Sequence, residues 1–317
     1  MIELQDIAYV RSGVADLRAA VHFATDVVGL ELVASDEQGV AHLRADARHH
    51  CLALVAGRSG VLASGFTVAD EDALEGAERE LERRGLAVRR LDAAAARSRR
   101  VRSGIAFDDP FGNRLELVAQ QEFLARPVAF GRAAGITGFG HLCLDAPDVH
   151  EAYRFWSATF NAKVSDWIGD AACLMRIDPV HHKLAVFKGD GPGLCHVNFQ
   201  VASIDDVFRN WHFLVEHGVE IEMGPGRHPQ STAVFVYFLG PESFTYEYSF
   251  GVRRIEDDAA WRPRTFDPAE PGSIDMWLGP TSRPVTQPQA RDGLPDGAAS
   301  AAPSGAPAQV PAASLSD

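Results

Sequence analysis

The chain has 317 residues and a formal net charge of −13, with a sequence pI near 5.4, which excludes the Lys- and Arg-rich surfaces that meet nucleic acid or anionic membrane. Hydrophobic residues make up 46% of it, enough for a sizeable core in one large domain or two ordinary ones.

In chain order, MIELQDIAYV at the N-terminus has no basic segment leading into a long apolar one. No later run approaches the roughly 18 apolar residues of a membrane span. The expectation is a soluble, cytoplasmic protein. GVADLRAAVHFATDVVGLELVAS (13–35) reads as an amphipathic helix anchored by Phe23 that leads into a strand. RADARHHCLALVAG (44–57), ASGFTVADEDAL (63–74) and FDDPFGNRLELV (107–118) follow, and the basic run RSRRVR (97–102) reads as a solvated loop. Cys51, Cys143, Cys173 and Cys195 lack CxxC spacing and sit among apolar neighbours. They are expected to be buried free thiols rather than disulfides or a zinc site, and they suit a reducing compartment.

The second half repeats the first. APDVHEAYRFWSATFNAKVSD (146–166) matches the opening helix, with Phe155 over Phe23, and RIDPVHHKLAVFKG (176–189) places His181 and His182 over His49 and His50. HVNFQVASIDDV (196–207) and FLGPESFTYEYS (238–249) complete the set at offsets of 131 to 133 residues, which marks a duplicated unit. Alternating segments such as KLAVFK, CHVNFQV and TAVFVYF, split by helices near 147–160 and 203–217, predict an α+β fold. Its expected form is tandem βαβββ modules, four in all, forming two half-open barrel domains over 1–125 and 136–255. Residues 256–317 form a C-terminal extension rich in Pro, Ala, Ser and Gly, expected to be disordered from about 281 and to pack on the body around Trp277.

The copies differ where chemistry would sit. His141, in the apolar stretch GFGHLCLD, stands opposite Tyr9; His196 stands opposite Ala63; Glu247 stands opposite Glu116. A single histidine on an apolar strand is ordinarily a hydrogen-bonded core residue, and Tyr237 ordinarily packs. Two imidazoles and a carboxylate gathered in one copy instead suit a mononuclear Fe(II) site with open positions. A closed structural zinc site would want four protein ligands. His182, His228 in GPGRHP, and Tyr237 stand on or beside the same strands.

With VHHKLAVF, HVNFQVASIDDV, GPGRHP and YEYSFG at this spacing, residues 1–255 resemble the type I extradiol catechol dioxygenases of the vicinal oxygen chelate superfamily. The resemblance implies an N-terminal domain that has lost its metal and a catalytic C-terminal domain with His141, His196 and Glu247 as iron ligands. It implies His182 as the acid/base residue, and His228 and Tyr237 as hydrogen-bonding partners of the substrate oxygens. It further implies meta ring cleavage of a substituted catechol by O2 at Fe(II), with Mn(II) able to replace it, in aromatic hydrocarbon catabolism by a homo-oligomer. GPESFTYEY departs from the family's usual Pro-Ser-Gly turn, and Lys183 stands where Ser or Thr is common. The alternatives are a glyoxalase-like isomerase or hydrolase on the same scaffold, and a non-catalytic protein that holds an aromatic ligand.

Overall fold

Each copy alternates strands with capped helices in the order that the duplication predicts. In the computed structural model, which describes residues 1–35 and 39–281, the first copy runs β1 (Asp6–Val14), α1 (Leu17–His22), β2 (Glu31–Ser35), β3 (Val40–Arg44) and β4 (Leu52–Ala56). It continues with β5 (Gly60–Thr67), α2 (Glu71–Arg83), β6 (Arg89–Arg90), α3 (Ala93–Ser98), β7 (Val101–Asp108) and β8 (Arg114–Gln121). The second copy runs β9 (Ile136–Ala146), α4 (Val149–Thr159), β10 (Lys163–Ile168), β11 (Ala172–Arg176), β12 (Leu184–Lys188), β13 (Gly193–Val201), α5 (Ile204–Glu216), β14 (Ile221–Arg227), β15 (Val234–Leu239) and β16 (Thr245–Phe250), followed by β17 (Arg264–Phe266). Side chains one step ahead of the helices fix their starts: Asp148 accepts from the Glu151 amide at α4, and Ser203 from the Asp206 amide at α5.

The architecture is α+β in two sheets of βαβββ modules. The first sheet has the order β2-β3-β4-β1-β5-β8-β7-β6, and the second β14-β15-β16-β13-β9-β12-β11-β10-β17. Neither order closes on itself, so both halves are open. RSRRVR is not the loop expected of it: it ends α3 and begins β7, and its Arg99 is ion-paired to the buried Glu116. The expectation of disorder from about 281 falls, from 282 onward, outside the described residues. No helix among the described residues is long and apolar enough to cross a membrane.

The pleat sorts the second copy into two faces. Leu142, Leu144, Leu184, Val186, Val197, Phe199, Tyr246 and Tyr248 turn one way into the main core, each burial contributing about 1.5–3 kcal/mol. Their strand neighbours Cys143, Ala185 and Phe187 turn the other way and pack with Ile168 and Leu174 on the concave side. Gly140 keeps the sheet close at its centre, since a Cβ there would lie 2.0 Å from Asn198 Oδ1. The core runs through both copies: the Trp156 ring on α4 meets Phe66 on β5 at 5.6 Å, and Ile2 bridges to Phe160.

Candidate metal centre and pocket

Three strands of the second copy bring the triad together. Strand β9 carries His141, β13 carries His196 and β16 carries Glu247, all on the concave side and 1–3% exposed. His141 Nε2 lies 3.0 Å from His196 Nε2 and 3.0 Å from Glu247 Oε2, and His196 Nε2 lies 3.4 Å from that same oxygen. Edges of about 3 Å are what three ligands present when each is about 2.1 Å from one ion at right angles. Both Glu247 oxygens are buried without a hydrogen-bond partner of acceptable geometry, a costly state for a carboxylate unless a cation meets it. Burial would raise the Glu247 carboxyl, but the facing His141 and His196 rings hold it well below the ordinary range. Burial also lowers His141. An ionised carboxylate beside neutral imidazole is the protonation state that metal ligation requires, so the donor set fits Fe(II) or Mn(II).

Cys143 was not anticipated here. Its Sγ lies 3.1 Å from His196 Nε2, and it groups with His141 and His196 as a set of potential ligands within 4.8 Å of one another. Burial pushes its thiol well above the usual value, so without a cation the thiolate is the costly form there. Glu247 is the anion of the set.

A pocket opens onto His141, Cys143 and His196, lined also by His182, His228 and Tyr237 and walled by Ile168, Phe187 and Ile274. The His182 and His141 rings lie 4.3 Å apart. Burial, reinforced by His141 and His181, holds His182 well below its ordinary pKa, so it rests as a neutral acceptor rather than poised near neutrality. Behind it runs a relay: Asp166 Oδ2 faces His181 Nε2 at 2.9 Å, and His181 Nδ1 faces His182 Nδ1 at 3.1 Å. A carboxylate only accepts, so His181 carries its hydrogen on Nε2, His182 donates from Nδ1, and the lone pair of His182 Nε2 is left for the pocket. Asp166 escaped sequence reasoning, although the signal was present: its counterpart in the first copy is Ala34, in the same register against the next strand.

On the opposite wall, His228 Nδ1 donates to the Ile274 carbonyl at 2.7 Å, while Nε2 lies 3.0 Å from the Tyr237 hydroxyl. Burial lowers His228 and raises Tyr237, so Tyr237 keeps its proton and donates it to His228 Nε2. Lys183 points away from the pocket to Asp6 at 2.8 Å, joining the two copies. The GPES turn leans on the first copy, where Glu242 accepts from the Ala15 amide at 2.7 Å. The stretch around Trp277 packs on the body through Ser273, Ile274 and Asp275, while the Trp277 ring itself is 44% exposed.

The first copy fills the equivalent place differently. Tyr9 donates to Glu116 at 2.8 Å, and Arg99 grips both oxygens of that carboxylate at 2.6 and 2.5 Å. A guanidinium supplies the positive charge that the second copy's glutamate lacks.

The family model described as Glyoxalase/Bleomycin resistance protein/Dioxygenase superfamily matches residues 6–117 and 138–248. The chain is 30% identical over 273 residues to a 3-methylcatechol 2,3-dioxygenase of Pseudomonas putida, covering 80% of this chain and 92% of that protein. It is 24% identical over 300 residues to an iron-dependent extradiol dioxygenase of Rhodococcus jostii, covering 87% and 97%. Among solved structures it is similar to a halotolerant catechol dioxygenase, BphC, with a TM-score of 0.81 and 25% identity over 90% of this chain and 97% of that one. It is equally similar in fold to a Mn(II)-bound glyoxalase from Novosphingobium aromaticivorans, with a TM-score of 0.81 and 28% identity over 93% and 97%.

Proposed function

This chain belongs to the Glyoxalase/Bleomycin resistance protein/Dioxygenase superfamily, and on that premise we infer that it is an iron-dependent extradiol dioxygenase that opens the ring of a substituted catechol with O2. His141, His196 and Glu247 hold the metal, catalysis belongs to residues 136–255, and residues 1–125 keep the fold without a metal. The observation that carries this reading is the convergence of three donor atoms at 3.0–3.4 Å beside a pocket lined by His141, His196, His182, His228 and Tyr237.

Iron held by His141, His196 and Glu247 would supply Lewis acidity toward the catechol oxygens and a path for electrons from the ring to O2. The chain's own groups manage protons and water. A catechol binding through both oxygens must lose protons, and the lone pairs of His182 Nε2 and His228 Nε2 are the acceptors available. Tyr237, uncharged at neutral pH, can turn its O–H from His228 to a substrate oxygen. His182, having taken a substrate proton at Nε2, is the group placed to give it back within the pocket; its depressed basicity makes the imidazolium a willing donor. The walls of Ile168, Phe187 and Ile274 exclude water from the ring. Both oxygen atoms enter the product, a ring-opened semialdehyde acid.

A cytoplasmic location and a homo-oligomer belong to the same reading. Four free thiols support the first. The exposed stripe of Ile204, Phe208 and Val215 along α5 supports the second, and sedimentation at micromolar concentration as a monomer would remove it. The similarity to a Mn(II)-bound glyoxalase favours an isomerase as the second reading; a donor set of two histidines and one glutamate places it behind.

The test is anaerobic Fe(II) loading followed by O2 uptake across catechol, 3-methylcatechol, 2,3-dihydroxybiphenyl and a carboxylated catechol. One O2 consumed per catechol with a yellow product is expected. Metal-dependent turnover of a hemithioacetal without O2 uptake would replace this reading with the isomerase.

A further inference from the structure

We propose that residues 264–281, beyond the stretch matched by the family model, are a working part of the pocket. By clasping both free edges of the second sheet they fix the ring tautomers of His182 and His228, and so position its two proton acceptors. The proposal rests on the dioxygenase reading of that pocket.

The segment crosses the mouth of the half-barrel. At one end β17 lies parallel on the edge strand β10. At the other, the Met276 amide donates to Arg227 O at 2.7 Å, and the Gly224 amide to Pro280 O at 3.0 Å, on the opposite edge strand β14. Edge strands leave backbone groups unpaired, and the extension satisfies groups on both.

Each anchor ends on a pocket histidine. Arg264 donates from its backbone and Nε to Asp166 Oδ1 at 2.7 and 3.1 Å, and from Nη2 to Asp166 Oδ2 at 2.5 Å. That grip sets the carboxylate plane that His181 meets, and through His181 the Nδ1–H form of His182. At the other anchor, the Ile274 carbonyl receives His228 Nδ1–H. Asp275 holds that carbonyl in place: its Oδ1 accepts the amides of Arg227 at 2.7 Å and Trp277 at 2.9 Å, and its Oδ2 accepts that of Gly279 at 2.7 Å. Gly226 leaves room for this brace, since a Cβ there would sit 2.5 Å from the carboxylate. Arg264, Ile274 and Asp275 are thus positioning residues, acting through the histidines they orient.

The experiment uses the full chain with Asp275→Ala, Asp275→Asn and Arg264→Gln, and catechol as substrate. Asp275→Ala is expected to keep its iron, to lose about 10- to 100-fold in kcat, and to lose nothing further when combined with His228→Ala. Asp275→Asn, which retains an oxygen for the Arg227 and Trp277 amides, recovers most of that loss. Imidazole 15N spectra of metal-free protein should show His228 as the Nδ1–H tautomer in the wild type and a mixture in Asp275→Ala. Wild-type kcat with an unchanged tautomer, or losses that add to those of His228→Ala, would overturn the proposal. Should Asp275→Ala not fold, Arg264→Gln carries the same test, read at the His182 tautomer. A wild type without O2 uptake on any catechol would remove the dioxygenase reading, leaving the spectra to decide the tautomers.

Discussion

Two buried glutamates, one in each copy, stand at matching positions in different surroundings. Glu116 is neutralised by Arg99 and Tyr9, whereas Glu247 faces the imidazoles of His141 and His196. Burial raises both carboxyls, and their partners lower both below the ordinary range. Glu247→Gln should therefore fold and lose bound iron and O2 uptake together, as metal analysis would show. Glu116→Gln should keep stoichiometric iron yet lose about 3 kcal/mol of stability in urea, because Arg99 is left buried without its partner. Asp166→Asn, by freeing the tautomer of His182, should keep iron and lower kcat by about 10- to 100-fold; unchanged steady-state kinetics would remove the relay. The triad was legible in the sequence because duplication supplied an internal control: His141 against Tyr9 and His196 against Ala63. Asp166 against Ala34 carried the same signal, masked because an acidic residue near a strand ordinarily faces water. Cys143 gave no signal, since a thiol on an apolar strand has the pattern of core.

At the scale of elements, alternation along β9, β12, β13 and β16 was readable because the pleat forces apolar and functional side chains onto opposite faces. Caps fixed the helices to within a few residues: 149–159 and 204–216 against 147–160 and 203–217 expected. The segment 256–281 was less legible, because its order rests on backbone pairing at sheet edges and on the anchors Arg264 and Asp275, which composition does not record. RSRRVR misled for a related reason, since its Arg99 answers a carboxylate distant in sequence. Helix α4 is held by Trp156, 1% exposed and packed between Phe66 and Phe160 at 5.6 and 4.9 Å. Trp156→Ala should cost about 3–5 kcal/mol without altering iron stoichiometry at a temperature where the variant is folded, as denaturant titration beside metal analysis would show.

Over the whole molecule, the shared core and the Lys183–Asp6 bridge couple the copies, while buried histidines tie stability to pH. Burial, with help from His42, pushes His49 down to about 4 and His50 well below its ordinary value. The unfolded chain takes up these protons near 6.5 and the folded one does not. Their contribution is thus complete above about pH 6.5 and is lost as pH falls toward 4. The melting temperature should fall steadily from pH 7 to pH 5, and His49→Gln, if folded, should flatten that slope; a profile independent of pH would contradict the assignment. The central claim is that one copy of a duplicated fold binds iron through His141, His196 and Glu247 while the other uses Arg99 in its place. Crystals of protein loaded anaerobically with Fe(II), measured on both sides of the iron absorption edge, test it most directly. One anomalous peak is predicted, within about 2.3 Å of both imidazole Nε2 atoms and the Glu247 carboxylate, with none beside Glu116. A peak bound by Cys143 in place of Glu247, or one beside Tyr9 and Glu116, would contradict it.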